Sequence, residues 1–86
     1  MPYIKQDRRN ELDSAIENLA DLVKRTDQRA GDLNYTITSL LKQVFGEMRY
    51  ADHNEAIGVL ECIKLEFYRR RTAPYEDIKI VQNGDV

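Results

Sequence analysis

Arg69-Arg70-Arg71, preceded by Tyr68 and followed four residues on by Tyr75, is the densest cluster of chemistry-capable side chains in the sequence. Guanidinium groups grip phosphate oxygens in bidentate fashion, and tyrosine rings stack on bases. The composition therefore suits an anionic, nucleotide-like small molecule. Arg49 and Tyr50 are the next candidates for the same task. Two plainer roles compete. Arginines at a helix C-terminus complement the helix dipole and stay solvated. Alternatively, they pair with Glu76, Asp77 and Asp85 of the same or a neighbouring subunit.

Other constellations carry less chemistry. The segment Gly31-Asp32-Leu33-Asn34-Tyr35 places a glycine at a predicted helix start, where free amides can hold an anion. The Asp32 carboxylate competes for those amides, which makes it a cap. His53 is the single histidine, and Asp52, Glu55 and Glu61 are near it in sequence. No spacing here matches a structural zinc site or the Glu-x-x-His pair of a di-iron bundle, so no metal is expected. Cys62 and His53 sit nine residues apart on one predicted helix, about 13 Å along its axis. That separation defeats a Cys–His nucleophile pair within one chain. There is no nucleophile elbow, Walker A loop or dinucleotide fingerprint. The expectation is a protein that is not an enzyme and carries no cofactor.

The elements that must position these residues are helical. Leu12, Ile16, Leu19 and Val23 recur at spacings of four, three and four, with Ala15, Ala20 and Leu22 widening the stripe. This predicts a first amphipathic helix from Gln6 or Asp7, fading in the polar stretch 25–31. A second helix is predicted from Gly31-Asp32, with Leu33, Ile37, Leu40, Leu41, Val44 and Phe45 on its apolar side and Gly46 as its stop. The β-branched run Thr36-Ile37-Thr38 makes a short strand the competing reading. The third helix is predicted from Asp52, with Glu55 completing a capping box. Its stripe is Ala56, Leu60, Ile63 and Phe67, with Ile57, Val59 and Tyr68 off it. Gly58 leaves a flat spot suited to close backbone approach. Pro74 disfavours helical geometry at Ala73, so the helix is expected to end by Arg71 or Thr72. Pro74 then suits the first turn of a short fourth helix closed by Asn83-Gly84. An extended arm is the alternative there, because Ile78 and Ile80 alternate with Lys79 and Val81. At the other end, Tyr3 and Ile4 within Met1-Pro2-Tyr3-Ile4-Lys5-Gln6 predict an ordered N-terminus.

Composition sets the outer bounds. Eighty-six residues make one domain, 1–86, of a size that buries only about 60% of its unfolded surface. A single cysteine, Cys62, supplies no disulfide and reads as a small core residue in a reducing compartment. The formal charge of −2 gives no pull toward nucleic acid or an anionic membrane, and the excess acid lies in residues 76–86. No apolar run approaches the roughly 20 residues of a membrane span, and the N-terminus lacks a signal-peptide core. A cytoplasmic location is expected.

Four stretches, MPYIKQ, GDLNYTIT, RYADHNEAIGVLECIKLEFYRR and APYEDIKIVQNGDV, resemble a group of short proteins of unassigned activity found in bacteria and phage genomes. The resemblance covers nearly the whole chain. It implies a small accessory protein in phage or prophage company and transfers no catalytic residue. Phages also encode small helical oligomers that sequester cyclic nucleotide or ADP-ribose signals of bacterial immunity. The chain is similar to these in size and helical character, without a shared motif.

The resulting expectation is an all-α fold, with a three-helix core, a short C-terminal helix and assembly into an oligomeric helical bundle. The third helix is expected at the centre of core and interface. Function is expected to be sequestration of an anionic, nucleotide-like immune signal through Tyr68, Arg69, Arg70, Arg71, Tyr75, Arg49 and Tyr50 of the homo-oligomer. The alternative is a protein–protein interaction adaptor or structural accessory protein with no small-molecule ligand.

Overall fold

The computed structural model describes residues 3–86; Met1 and Pro2 lie outside the described residues, so the expected order of the N-terminus is followed only from Tyr3. Helices α1 (Gln6–Val23), α2 (Arg29–Phe45), α3 (Tyr50–Phe67) and α4 (Ala73–Asn83) follow in order, and a π-helical turn, Tyr68–Thr72, joins α3 to α4 without a break. The described residues contain no strand, so helix prevails at Thr36–Thr38 and across 73–83. The chain divides into two compact units, Met1–Glu47 and Met48–Val86.

The first unit is a helical hairpin. Asp7 lies in the first turn of α1, where its charge complements the dipole, and its Oδ1 accepts a 2.9 Å hydrogen bond from the Arg8 amide. The Arg9 guanidinium donates to the Ile4 carbonyl at 2.9 Å, tying the entering chain to the helix. The connection is shorter than the polar stretch 25–31 suggests, because α2 begins at Arg29. Thr26 starts that helix early: its hydroxyl accepts from the Gln28 amide at 3.1 Å and turns the chain. Asp32 is therefore not the cap. Its amide already bonds the Gln28 carbonyl at 2.9 Å, and its carboxylate is a first-turn acid. Gly46 ends α2 at φ +64°, the left-handed region that only glycine enters without a Cβ penalty.

The second unit is one long bent helix. The cap of α3 lies three residues before the predicted one, Asp52. Arg49 is the N-cap, and Asp52 occupies the third helical position, where its Oδ2 accepts from the Arg49 amide at 3.0 Å. Arginine has no acceptor to return that bond, so this is half of a capping box. The predicted break at Arg71 or Thr72 is absent. Ala73 holds φ −59° and ψ −46°, helical in spite of the following proline. The π-turn explains how. A proline ring clashes with the carbonyl four residues earlier and offers no amide to it. Widening the turn, so that the Ala73 amide bonds the Tyr68 carbonyl five residues back, relieves both conflicts while the helix continues. Gly84 ends α4 at φ +88°.

Among the described residues Ala56, 6% exposed, is the single buried hydrophobic residue. The predicted core residues Leu12, Ile16, Leu19, Leu33, Ile37, Leu40, Val44, Ile63 and Phe67 are all exposed. Val23, Leu41, Phe45 and Leu60 are half-buried. Cys62 is also exposed, which corrects its reading as a core residue. Each unit taken by itself, a two-helix layer or a single bent helix, leaves much of its apolar surface uncovered.

Candidate functional site

Tyr68, Arg69, Arg70 and Arg71 all lie on the π-turn, and Tyr75 lies in the first turn of α4 just beyond it. Pro74 thus shapes the cluster, since the widened turn it imposes carries the arginines. Glu66, one turn earlier, collects two of them. Its Oε1 accepts from Arg70 Nε at 3.2 Å, and its Oε2 accepts from the Arg69 guanidinium. The arginine heads remain exposed, whereas the Glu66 side chain is only 15% exposed. The Arg69 guanidinium above all, with Arg70 adding to it, holds the Glu66 carboxyl below its ordinary value. The Tyr68 hydroxyl donates to Glu76, and that bond to a carboxylate raises the tyrosine's pKa above its ordinary value. The Tyr75 ring carries Lys79 Nζ above its face, 5.6 Å from the centroid. Among the described residues, Arg71 has no side-chain hydrogen bond or ion pair.

The cluster is therefore a set of clasped cations. An anion approaching it competes with the Glu66 carboxylate for Arg69 and Arg70 and meets Arg71 without a rival. The arginine heads of the clasps face water, so an added ligand can reach them while Glu66 stays beneath. Arg49 and Tyr50 are not part of this arrangement. They stand at the opposite end of α3, and the 18 residues from Tyr50 to Tyr68 span about 27 Å of helix. One chain does not bring the two sets together.

The sequence reading missed Glu66. Its signal was available in the three- and four-residue spacing to Arg69 and Arg70, which puts acid and base on one helix face. The expected acidic partners in the tail act otherwise, with Glu76 taken by Tyr68. Gly31 and Asn34-Tyr35 line a shallow face of α2 with Ala30, Thr38 and Lys42, inside the helix and not at a free N-terminus. Among the described residues no group of His, Cys, Asp and Glu is placed to hold a metal ion. Among the described residues no helix is long and apolar enough to cross a membrane.

The family model for a domain of unknown function, DUF6899, matches residues 1–86, and the chain belongs to that family. No curated protein and no solved structure matches the chain.

Proposed function

We propose that this DUF6899 protein acts by association and not by catalysis, as a homo-oligomeric helical accessory protein that presents its surfaces to a partner. One observation carries the reading: Ala56 is the single buried hydrophobic residue among the described ones, while seams of leucine and isoleucine stay open to water. Soluble monomers rarely leave apolar surface contiguous on this scale, and where it occurs it marks association. The chemistry around the arginine turn points the same way, because its carboxylates are engaged with arginine or tyrosine. Native mass spectrometry of the full chain tests the proposal. A symmetric oligomer at micromolar concentration is expected, and a monomer overturns it.

A second reading is sequestration of an anionic, nucleotide-like signal at Tyr68, Arg69, Arg70, Arg71 and Tyr75. The π-turn favours it, since such turns recur at functional sites and this one coincides with the arginine run. Incubation with a lysate of phage-infected bacteria discriminates the two. A small-molecule mass gained by the native oligomer, and lost in a folded Arg69→Ala/Arg70→Ala variant, selects the sequestration reading. No such gain leaves the association reading standing alone.

A further inference from the structure

We infer that Phe67, Arg71, Tyr75 and Lys79 form one row of alternating rings and cations, and that this row binds a short single strand of nucleic acid. The inference rests on the nucleotide-like reading of the arginine turn. It deepens that reading by naming the ligand class and two further contacts, Phe67 and Lys79.

The row exists because of the π-turn. In an unbroken α-helix each residue turns by about 100°, so residues 67 and 79 would point about 120° apart. A five-residue hydrogen-bond step takes one extra residue into the turn. The step from the Tyr68 carbonyl to the Ala73 amide therefore turns the chain back by about 100° and leaves Phe67 and Lys79 about 20° apart. A bond across the turn reports the same rotation. Tyr68 and Glu76 would stand about 80° apart around an ordinary helix, yet the tyrosine hydroxyl donates to that carboxylate. Phe67, Arg71, Tyr75 and Lys79 thus follow one another in four-residue steps along one side of the bent helix.

Each member of the row is available. Phe67 is 63% exposed and Tyr75 57%. Arg71 has no side-chain partner among the described residues. Lys79 Nζ lies over the Tyr75 ring and donates to the neutral Gln82 amide oxygen at 3.2 Å. The flanking acids are engaged, Glu66 by Arg69 and Arg70, and Glu76 by Tyr68. Asp77, two residues after Tyr75, points about 160° away from it. Among the described residues, the row therefore offers two cations without an acidic partner, each beside a ring.

Charge and spacing select the ligand. Rings take stacked bases and cations track phosphates, and the alternation of the two is how single strands are held. A duplex hides its base faces, and a lone phosphate engages no ring. The row is about 18 Å long at 1.5 Å per residue. At about 3.4 Å per nucleotide of a stacked strand, that length takes roughly five nucleotides. The net charge of −2 gives a long polyanion no field to enter, which favours a short strand.

Fluorescence anisotropy of labelled pentathymidylate with the full chain tests the inference. Saturable binding is expected, weakened about tenfold or more by Arg71→Ala and by Tyr75→Ala. Lys24→Ala, which removes one charge from the hairpin, is expected to leave it unchanged, and an equal loss there overturns the row. An abasic pentamer of equal charge is expected to bind about tenfold more weakly, and equal binding overturns the role of the rings. Pro74→Ala removes no member of the row but lets the helix return to four-residue steps. It is expected to weaken binding as Tyr75→Ala does, while Tyr68 ionises at its ordinary value. Full affinity with ordinary Tyr68 ionisation overturns the row. Thymidine monophosphate separates the inference from the reading beneath it. If it binds as tightly as the pentamer, the strand assignment falls and the nucleotide-like reading stands. If neither binds, both fall.

Discussion

The hairpin and the bent helix solve the shortage of core in opposite ways. In α1 and α2 the apolar residues gather toward one side of each helix, with charged and polar residues on the other. In α3 they lie all round, with Ile57, Val59, Ile63, Leu65 and Phe67 each exposed. A seam specifies one geometry of partner. An apolar surface spread around a helix specifies only that it be covered. The bent helix compensates with polar definition, in the Asp52 cap, the Glu66 clasp and the Tyr68–Glu76 bond, all of which fix local conformation and bury little. The comparison teaches that organisation of apolar residues, more than their number, decides which unit presents a defined apolar side.

The largest effect expected is on the hairpin seam. Leu19→Ala should destabilise the assembled protein by about 2–5 kcal/mol in chemical denaturation, the cost of a buried leucine, if the hairpin's apolar side is covered. A loss under about 1 kcal/mol would mean that Leu19 stays half-exposed in solution and would erase the contrast between the units. Next comes Gly46→Ala. Nothing lies within 4 Å of an added Cβ, so the cost is the positive φ alone, about 1–2 kcal/mol by urea denaturation.

Gly58→Ala sharpens the comparison from the other side. The sequence suggested close backbone approach at Gly58, yet a Cβ there meets nothing within 4 Å. The variant should gain about 1 kcal/mol of helix propensity without changing the native mass. A loss of stability together with a loss of mass would place a neighbouring copy against α3.

The smallest effects concern the arginine turn and are read spectroscopically. The folded pKa of Glu66 lies below its ordinary 4.5, so the clasp's contribution is present above that value and is lost as pH falls below it through the lowered one. The Arg69 and Arg70 side-chain resonances should move together in that window, and Glu66→Gln should abolish the movement. Tyr68 has the opposite sign. Its pKa is raised above 10.0, so its bond to Glu76 contributes below that value and is lost as pH rises through the raised one. In an ultraviolet titration one tyrosine of the five should ionise late, and Tyr68→Phe should remove that phase.

Much of the local structure was legible in the residues. The periodicity of Leu12, Ile16, Leu19 and Val23 placed α1, Gly46 marked the end of α2, and Asn83-Gly84 marked the end of α4. Each of these depends on side-chain spacing or backbone freedom along a few consecutive residues. The misplaced starts at Asp32 and Asp52 share one cause. An acid in the first helical turn and an acid at the cap have the same composition, and only the hydrogen bonds of Thr26 and Arg49 distinguish them. Pro74 was read as a break because the rule against it assumes a four-residue hydrogen-bond step, and the five-residue step is a geometry that spacing does not encode.

The sequence by itself determined that this protein is helical, where two of its helices stop, and which residues could grip an anion. These follow from interactions spanning one or two turns. Only the tertiary structure decided that α3 and α4 are one helix, that Glu66 clasps Arg69 and Arg70, and that Arg49 and Tyr50 stand far from the arginine run. Burial is the sum of what all other segments leave uncovered, and no stretch of sequence carries that information alone.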